Sequence, residues 1–125
     1  MCSSDLAQKA AVEALRGPQE CVGEMLTEFK KRRDYVIGRL KAMPGVKVQV
    51  PQGAFYAYPN VSCAFKGGIS NSLQFCEKLL SEELVAVVPG EAFGTSSHVR
   101  ISYATSMKEL ERGLDRIQRF IAARA

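Results

Sequence analysis

Arg100 is the residue whose type and setting point most directly to chemistry. It lies in His98–Ala104 (HVRISYA), where apolar and polar positions alternate. That alternation predicts a strand with Val99, Ile101 and Tyr103 facing one way and Arg100 and Ser102 the other. The residues sharing its face, Ser102 and Ala104, are small. A guanidinium there has room to offer two parallel N–H donors to a carboxylate, each bond contributing about 1.5–3 kcal/mol. An arginine on the solvated face of a sheet gives the same pattern with no ligand, and spacing alone favours that second reading.

Glycine-bounded turns come next. Gly53 precedes Phe55, and Gly90 and Gly94 flank Phe93. Glycine lets backbone approach a ligand closely, although ordinary turns need the same residues. Neither turn has the G-x-G-x-x-G or phosphate-loop form. The single histidine, His98, has no acid–base partner nearby in sequence and reads as packing at a strand edge or as solvated. Cys2, Cys21, Cys63 and Cys76 include no C-x-x-C pair, so no metal site is expected. Free thiols in a reducing, cytoplasmic setting are the expectation. No G-x-S-x-G nucleophile motif is present.

These residues must be positioned by one modest core. The chain has 125 residues, 46% hydrophobic and 24% charged, with a net charge of +4. That is one domain, or a piece of a larger one, of ordinary globular composition. No apolar run approaches the roughly 18 residues of a membrane span, and Met1–Asp5 has neither the basic start nor the apolar stretch of a signal peptide. The basic run Lys30–Arg33 is bracketed by Glu20, Glu24, Glu28 and Asp34. Across residues 18–43 six basic residues face four acidic ones, which suits a solvated helix face better than a nucleic-acid stripe.

Ala7–Leu15 predicts a helix, stopped by Gly17-Pro18. Residues 18–43 predict a second helix with an apolar stripe of Val22, Met25, Leu26, Phe29, Val36, Ile37 and Leu40, ended by Pro44-Gly45. Val46–Val50 and Ala54–Tyr58 predict two antiparallel strands joined by Pro51-Gln52-Gly53. Ser70 or Asn71 is placed to cap a helix running to about Glu83 with Leu73, Cys76, Leu79 and Leu80 inward, and Asn71-x-x-Gln74 has the form of a capping box. A short strand at Val85–Val88 and the Arg100 strand follow. Ser106 then caps a last helix striped by Met107, Leu110, Leu114, Ile117 and Ile121. The order α-α-β-β-α-β-β-α predicts an α+β fold, a two-layer sandwich of a short, mainly antiparallel sheet with helices on one face.

The runs Pro51–Asn60 (PQGAFYAYPN), Val85–Gly94 (VAVVPGEAFG) and Val99–Ser106 (VRISYATS) resemble, in this order, the C-terminal region of class I pyridoxal-phosphate aminotransferases, most closely the bacterial-type aspartate aminotransferase branch. Gln8–Leu15 (QKAAVEAL) and Phe29–Asp34 (FKKRRD) fit the same family. The resemblance runs from about Ala7 to Arg124. It implies that Arg100 forks onto the substrate α-carboxylate, that Phe55 lines the substrate site, and that Gly53 keeps the backbone close there. It also implies a mobile edge at the V-P-G-x-x-F-G loop. No lysine here has the family's Schiff-base setting, and the other cofactor-holding positions have no counterpart in the chain. The resemblance therefore implies a small domain over residues 17–125, with residues 1–16 as a trailing helix of a large domain. Met1–Leu6 is expected to be a non-native junction. The parent would be a homodimer carrying pyridoxal 5'-phosphate, exchanging an amino group between an amino acid and a 2-oxo acid. The chain alone is expected to hold no catalytic or cofactor-binding residue and to be inactive, with no nucleic-acid or membrane partner. Read without the resemblance, the residues also fit a free-standing α+β module for a small carboxylate, or a basic interaction domain.

Overall fold

The computed structural model describes residues 3–124. Met1 and Cys2, which open the expected junction, lie outside the described residues, as does Ala125. Among the described residues four α-helices form: α1 (Ser3–Arg16), α2 (Glu20–Lys41), α3 (Ser72–Glu83) and α4 (Met107–Ala122). Local chemistry sets their ends. Pro44 and Gly45, the latter at φ +78°, follow α2 and turn the chain. The Asn71 side chain accepts from the Gln74 N–H at 2.9 Å to open α3, and Ser106 accepts from the Glu109 N–H at 3.3 Å to open α4.

The sheet has strands β1 (Tyr56–Ala57), β2 (Val88–Pro89) and β3 (Val99–Ser102) in the order β1-β3-β2, both pairings antiparallel. Tyr56 sits opposite Ser102, and Val88 opposite Arg100. β3 buries Val99 and Ile101 while Arg100 and Ser102 stay accessible. The α+β order thus follows expectation, with each of the three strands shorter than predicted. Val46–Val50 contributes only a bridge, Lys47 to Asn60. Val46 is buried but Val50 is 47% exposed, so one face of this run lacks the burial that pins a register. The chain then leaves β1, opening a cleft of about 740 Å³ between residues 47–52 and Tyr56 and Tyr58. Of Val85–Val88 only Val88 pairs, and Pro89, without an N–H, ends the strand.

The helices cover the Val99–Ile101 face. α4 buries Leu110, Leu114, Ile117, Phe120 and Ile121 and packs on both α2 and α3. Arg39 of α2 donates to Asp115 at 2.6 Å and to Gln118 at 3.0 Å, and Arg119 of α4 pairs with Glu83 of α3 at 2.9 Å. α3 turns Ser72, Phe75, Cys76 and Leu79 inward, whereas Leu73 and Leu80, expected inside, are 47% and 51% exposed. The Asn71 cap fixes where the helix starts, and Phe75 meets Phe120 edge-on at 5.2 Å, which sets the rotation. α2 buries only Val36, Ile37 and Leu40 of its predicted stripe. Val22, Met25 and Leu26 are about half exposed, and residues 4–16 of α1 are exposed throughout.

Candidate functional site

Arg100 rises from the face of the sheet opposite the helices, as strand alternation requires. Its guanidinium carbon lies 4.4 Å from the Tyr56 ring centre and 4.7 Å from that of Phe93. Among the described residues no carboxylate is within ion-pair distance of it. A guanidinium carries its donors in its plane and its apolar faces above and below. Two aromatic rings at these distances hold the guanidinium by cation–π attraction.

The rings continue on both sides. Tyr56 lies 4.5 Å from Phe55, which stacks at 6.0 Å on Phe29 of α2. Phe93 meets Tyr58 edge-on at 6.1 Å, and Tyr58 stacks on His98 at 5.0 Å. Phe55, 39% exposed, is therefore one ring removed from Arg100. Gly53 lies in the exposed turn two residues earlier, where an added Cβ would meet nothing within 4 Å. Nothing in the chain itself demands glycine there. That turn is tied to the end of β3: the Tyr103 N–H donates to Phe55 O at 2.9 Å, and the Tyr103 hydroxyl donates to Ala54 O at 3.1 Å. Burial of this hydroxyl raises its pKa above the ordinary value.

Phe93 is carried by a single 3-10 turn, Gly90–Phe93. Gly90 is buried, and a Cβ on it would strike His98 O and Thr95 O, so here glycine is required by space. Gly94 at φ +82° takes the chain out of the turn. Glu91 reaches across to the start of α3. It accepts from the Ser72 hydroxyl and, at 3.3 Å, from the Leu73 N–H. Ser72 is fully buried and in turn accepts from the Gly90 N–H at 2.8 Å. Three hydrogen bonds between the two segments thus lock the Phe93 turn to a helix N-terminus, where negative charge is favoured.

The Ser72 hydrogen bond above all, with the backbone donors, holds the Glu91 carboxyl below its ordinary pKa of 4.5. The folded state therefore prefers the charged form. The lock is intact above 4.5 and is lost as pH falls through the lowered value. In an acid titration followed by NMR, the amides of residues 90–94 are expected to hold still down to pH 4.5 and to move together below it. A turn that titrates near neutrality contradicts this lock.

The remaining candidates stay structural. His98 is held by its stack on Tyr58 and by a 3.0 Å contact between Nδ1 and the Ser97 hydroxyl. Burial pushes the Cys76 thiol up to about 11 and raises that of Cys63, which keeps both un-ionised and poorly nucleophilic. Among the described residues no three His, Cys, Asp or Glu side chains are grouped to hold a metal, and no helix is long and apolar enough to cross a membrane. Sequence reasoning singled out Arg100, Phe55 and the Phe93 turn but missed Tyr56, Ser72 and Glu91. Strand alternation placed Tyr56 and Arg100 on readable faces, yet the register that makes them neighbours is set only by pairing.

The comparisons with known proteins bear on the family and the fold. The family model "Aminotransferase class I and II" matches residues 1–117. An aspartate aminotransferase of Bacillus sp. (strain YM-2) is 47% identical over 92% of the chain, and one from Pyrococcus horikoshii is 44% identical over 93%. The crystal structure of the Rhizobium meliloti aspartate aminotransferase superposes with a TM-score of 0.89 at 41% identity, over 97% of this chain and 32% of that one. An alanine aminotransferase from Pyrococcus furiosus superposes with a TM-score of 0.86 at 34% identity, over 94% of this chain and 30% of that one. The chain spans about 30% of the length of the two curated relatives. On sequence and on fold alike, it belongs to the class I and II aminotransferases.

Proposed function

We propose that this chain is the substrate-closing portion of an aspartate-type, pyridoxal-phosphate-dependent aminotransferase, and that Arg100 grips the α-carboxylate of the amino acid and of the 2-oxo acid that exchange the amino group. The observation that carries this reading is a guanidinium held beside two aromatic rings, with no acid among the described residues within ion-pair distance. A carboxylate supplies the two acceptors that its in-plane donors lack. Phe55, adjacent to Tyr56 and partly exposed, is the apolar wall on which the rest of the substrate rests, and Gly53 leaves room beside it.

Pyridoxal phosphate supplies the electron sink for amino-group chemistry when bound, and needs a lysine amine, an acid at its ring nitrogen and donors for its phosphate. The residues around Arg100 do not fit those needs. They are rings, and the nearby acid, Glu91, is committed to Ser72 and Leu73. In the proposal the cofactor is held by the part of the relatives that this chain does not match. Residues 1–16 belong with that part, residues 17–125 form the small domain, the parent is a homodimer, and the chain alone does not transaminate.

The test is a graft. Residues 17–125 replace the matching segment of the Bacillus sp. aspartate aminotransferase, and the hybrid is assayed with aspartate and a 2-oxo acid. Cofactor absorbance together with amino transfer is the expected result. A hybrid that folds and loads cofactor, yet transfers no amino group from aspartate, alanine or an aromatic amino acid, overturns the reading.

A further inference from the structure

We propose that Tyr56 and Phe93 are positioning residues that fix the plane of the Arg100 guanidinium, with Glu91 acting at one remove by holding the Phe93 turn in place. This rests on the carboxylate reading of Arg100 and adds what makes its fork ready before a ligand arrives.

The two rings come from different elements, β1 and the Gly90–Phe93 turn. Each belongs to a separate ring pair, Tyr56 with Phe55 and Phe93 with Tyr58, and the guanidinium carbon lies 4.4 Å from Tyr56 and 4.7 Å from Phe93. A free arginine side chain samples many rotamers, and a ligand that needs one plane must first impose it. Rings on the guanidinium faces remove that search and strip water from the faces while leaving the donors on the edge. The arrangement would fail if the Phe93 wall drifted, because Phe93 is 47% exposed and little packs over it. What anchors it is two residues away: Glu91 on Ser72 and on the start of α3. Loss of Glu91 therefore acts on the Phe93 side of the clamp and spares the Tyr56 side.

NMR of the full chain reads the clamp directly. The Arg100 δ-methylene and Nε–H protons are expected upfield of those of the other arginines, through ring currents. Tyr56→Leu and Phe93→Leu each remove part of that shift, and Tyr56→Phe retains it. Glu91→Ala removes only the Phe93 part. Unshifted Arg100 signals, or signals indifferent to these substitutions in variants whose core amides are unchanged, overturn the clamp. In the hybrid enzyme, Phe93→Leu and Tyr56→Leu are expected to raise KM for the amino acid about three- to tenfold with kcat little changed. Arg100→Ala separates the two claims. If it leaves KM unchanged, the carboxylate reading fails while the ring-current result stands. If it raises KM and the ring variants do not, the clamp fails alone.

Discussion

Arg100→Ala in the hybrid enzyme is expected to raise KM for the amino acid by about a hundredfold or more, with cofactor absorbance unchanged. Two charge-assisted hydrogen bonds are lost at about 1.5–3 kcal/mol each, and every 1.4 kcal/mol is about tenfold. Arg100→Lys keeps the charge and its attraction to Tyr56 and Phe93 but presents a single point instead of a fork. It is expected to recover part of the loss and to stay about tenfold short of arginine. Because the proposal has the cofactor held outside this chain, its absorbance serves as a folding control in the same sample. Unchanged KM in an Arg100→Ala hybrid that carries cofactor would remove Arg100 from the site.

Phe120→Ala is expected to have the largest effect on stability. Phe120 is 1% exposed, meets Phe75 edge-on at 5.2 Å and lies under the Arg124 guanidinium at 3.7 Å. Truncating a buried phenylalanine costs about 3–5 kcal/mol, since the cavity closes only in part. Domains of this size hold about 5–15 kcal/mol in all, so the urea midpoint should fall steeply or the chain should fail to fold. Phe75→Leu, which conserves more volume, is the milder companion and should lower the midpoint without abolishing the transition. A midpoint for Phe120→Ala that matches wild type would show that the α3–α4 contact contributes little to the core.

Much of this was legible in the sequence where a local rule decides the outcome. The α4 stripe Leu110, Leu114, Ile117 and Ile121 is buried as its period requires, and the caps at Asn71 and Ser106 sit where their types predict. Alternation put Arg100 opposite Val99 and Ile101. Legibility ends where distant segments decide. Leu73 and Leu80 have the same period as Phe75 and Leu79, and only the packing of Phe75 on Phe120 selects between the two faces. Val46–Val50 alternates well, but its lack of a buried partner face reduces it to a bridge. The Ser72–Glu91 contact spans 19 residues, and no spacing rule connects a helix start to a later turn. The predicted stripe of α2 stays half exposed at Val22, Met25 and Leu26, because periodicity tells which residues seek cover and not whether cover is present.

α4 is also the last element in chain order, yet it seals the core from two sides by packing on α2 and α3. A helix docked on two neighbours couples them, so unfastening α4 is expected to loosen α2 and α3 together, as one cooperative opening in native-state hydrogen exchange.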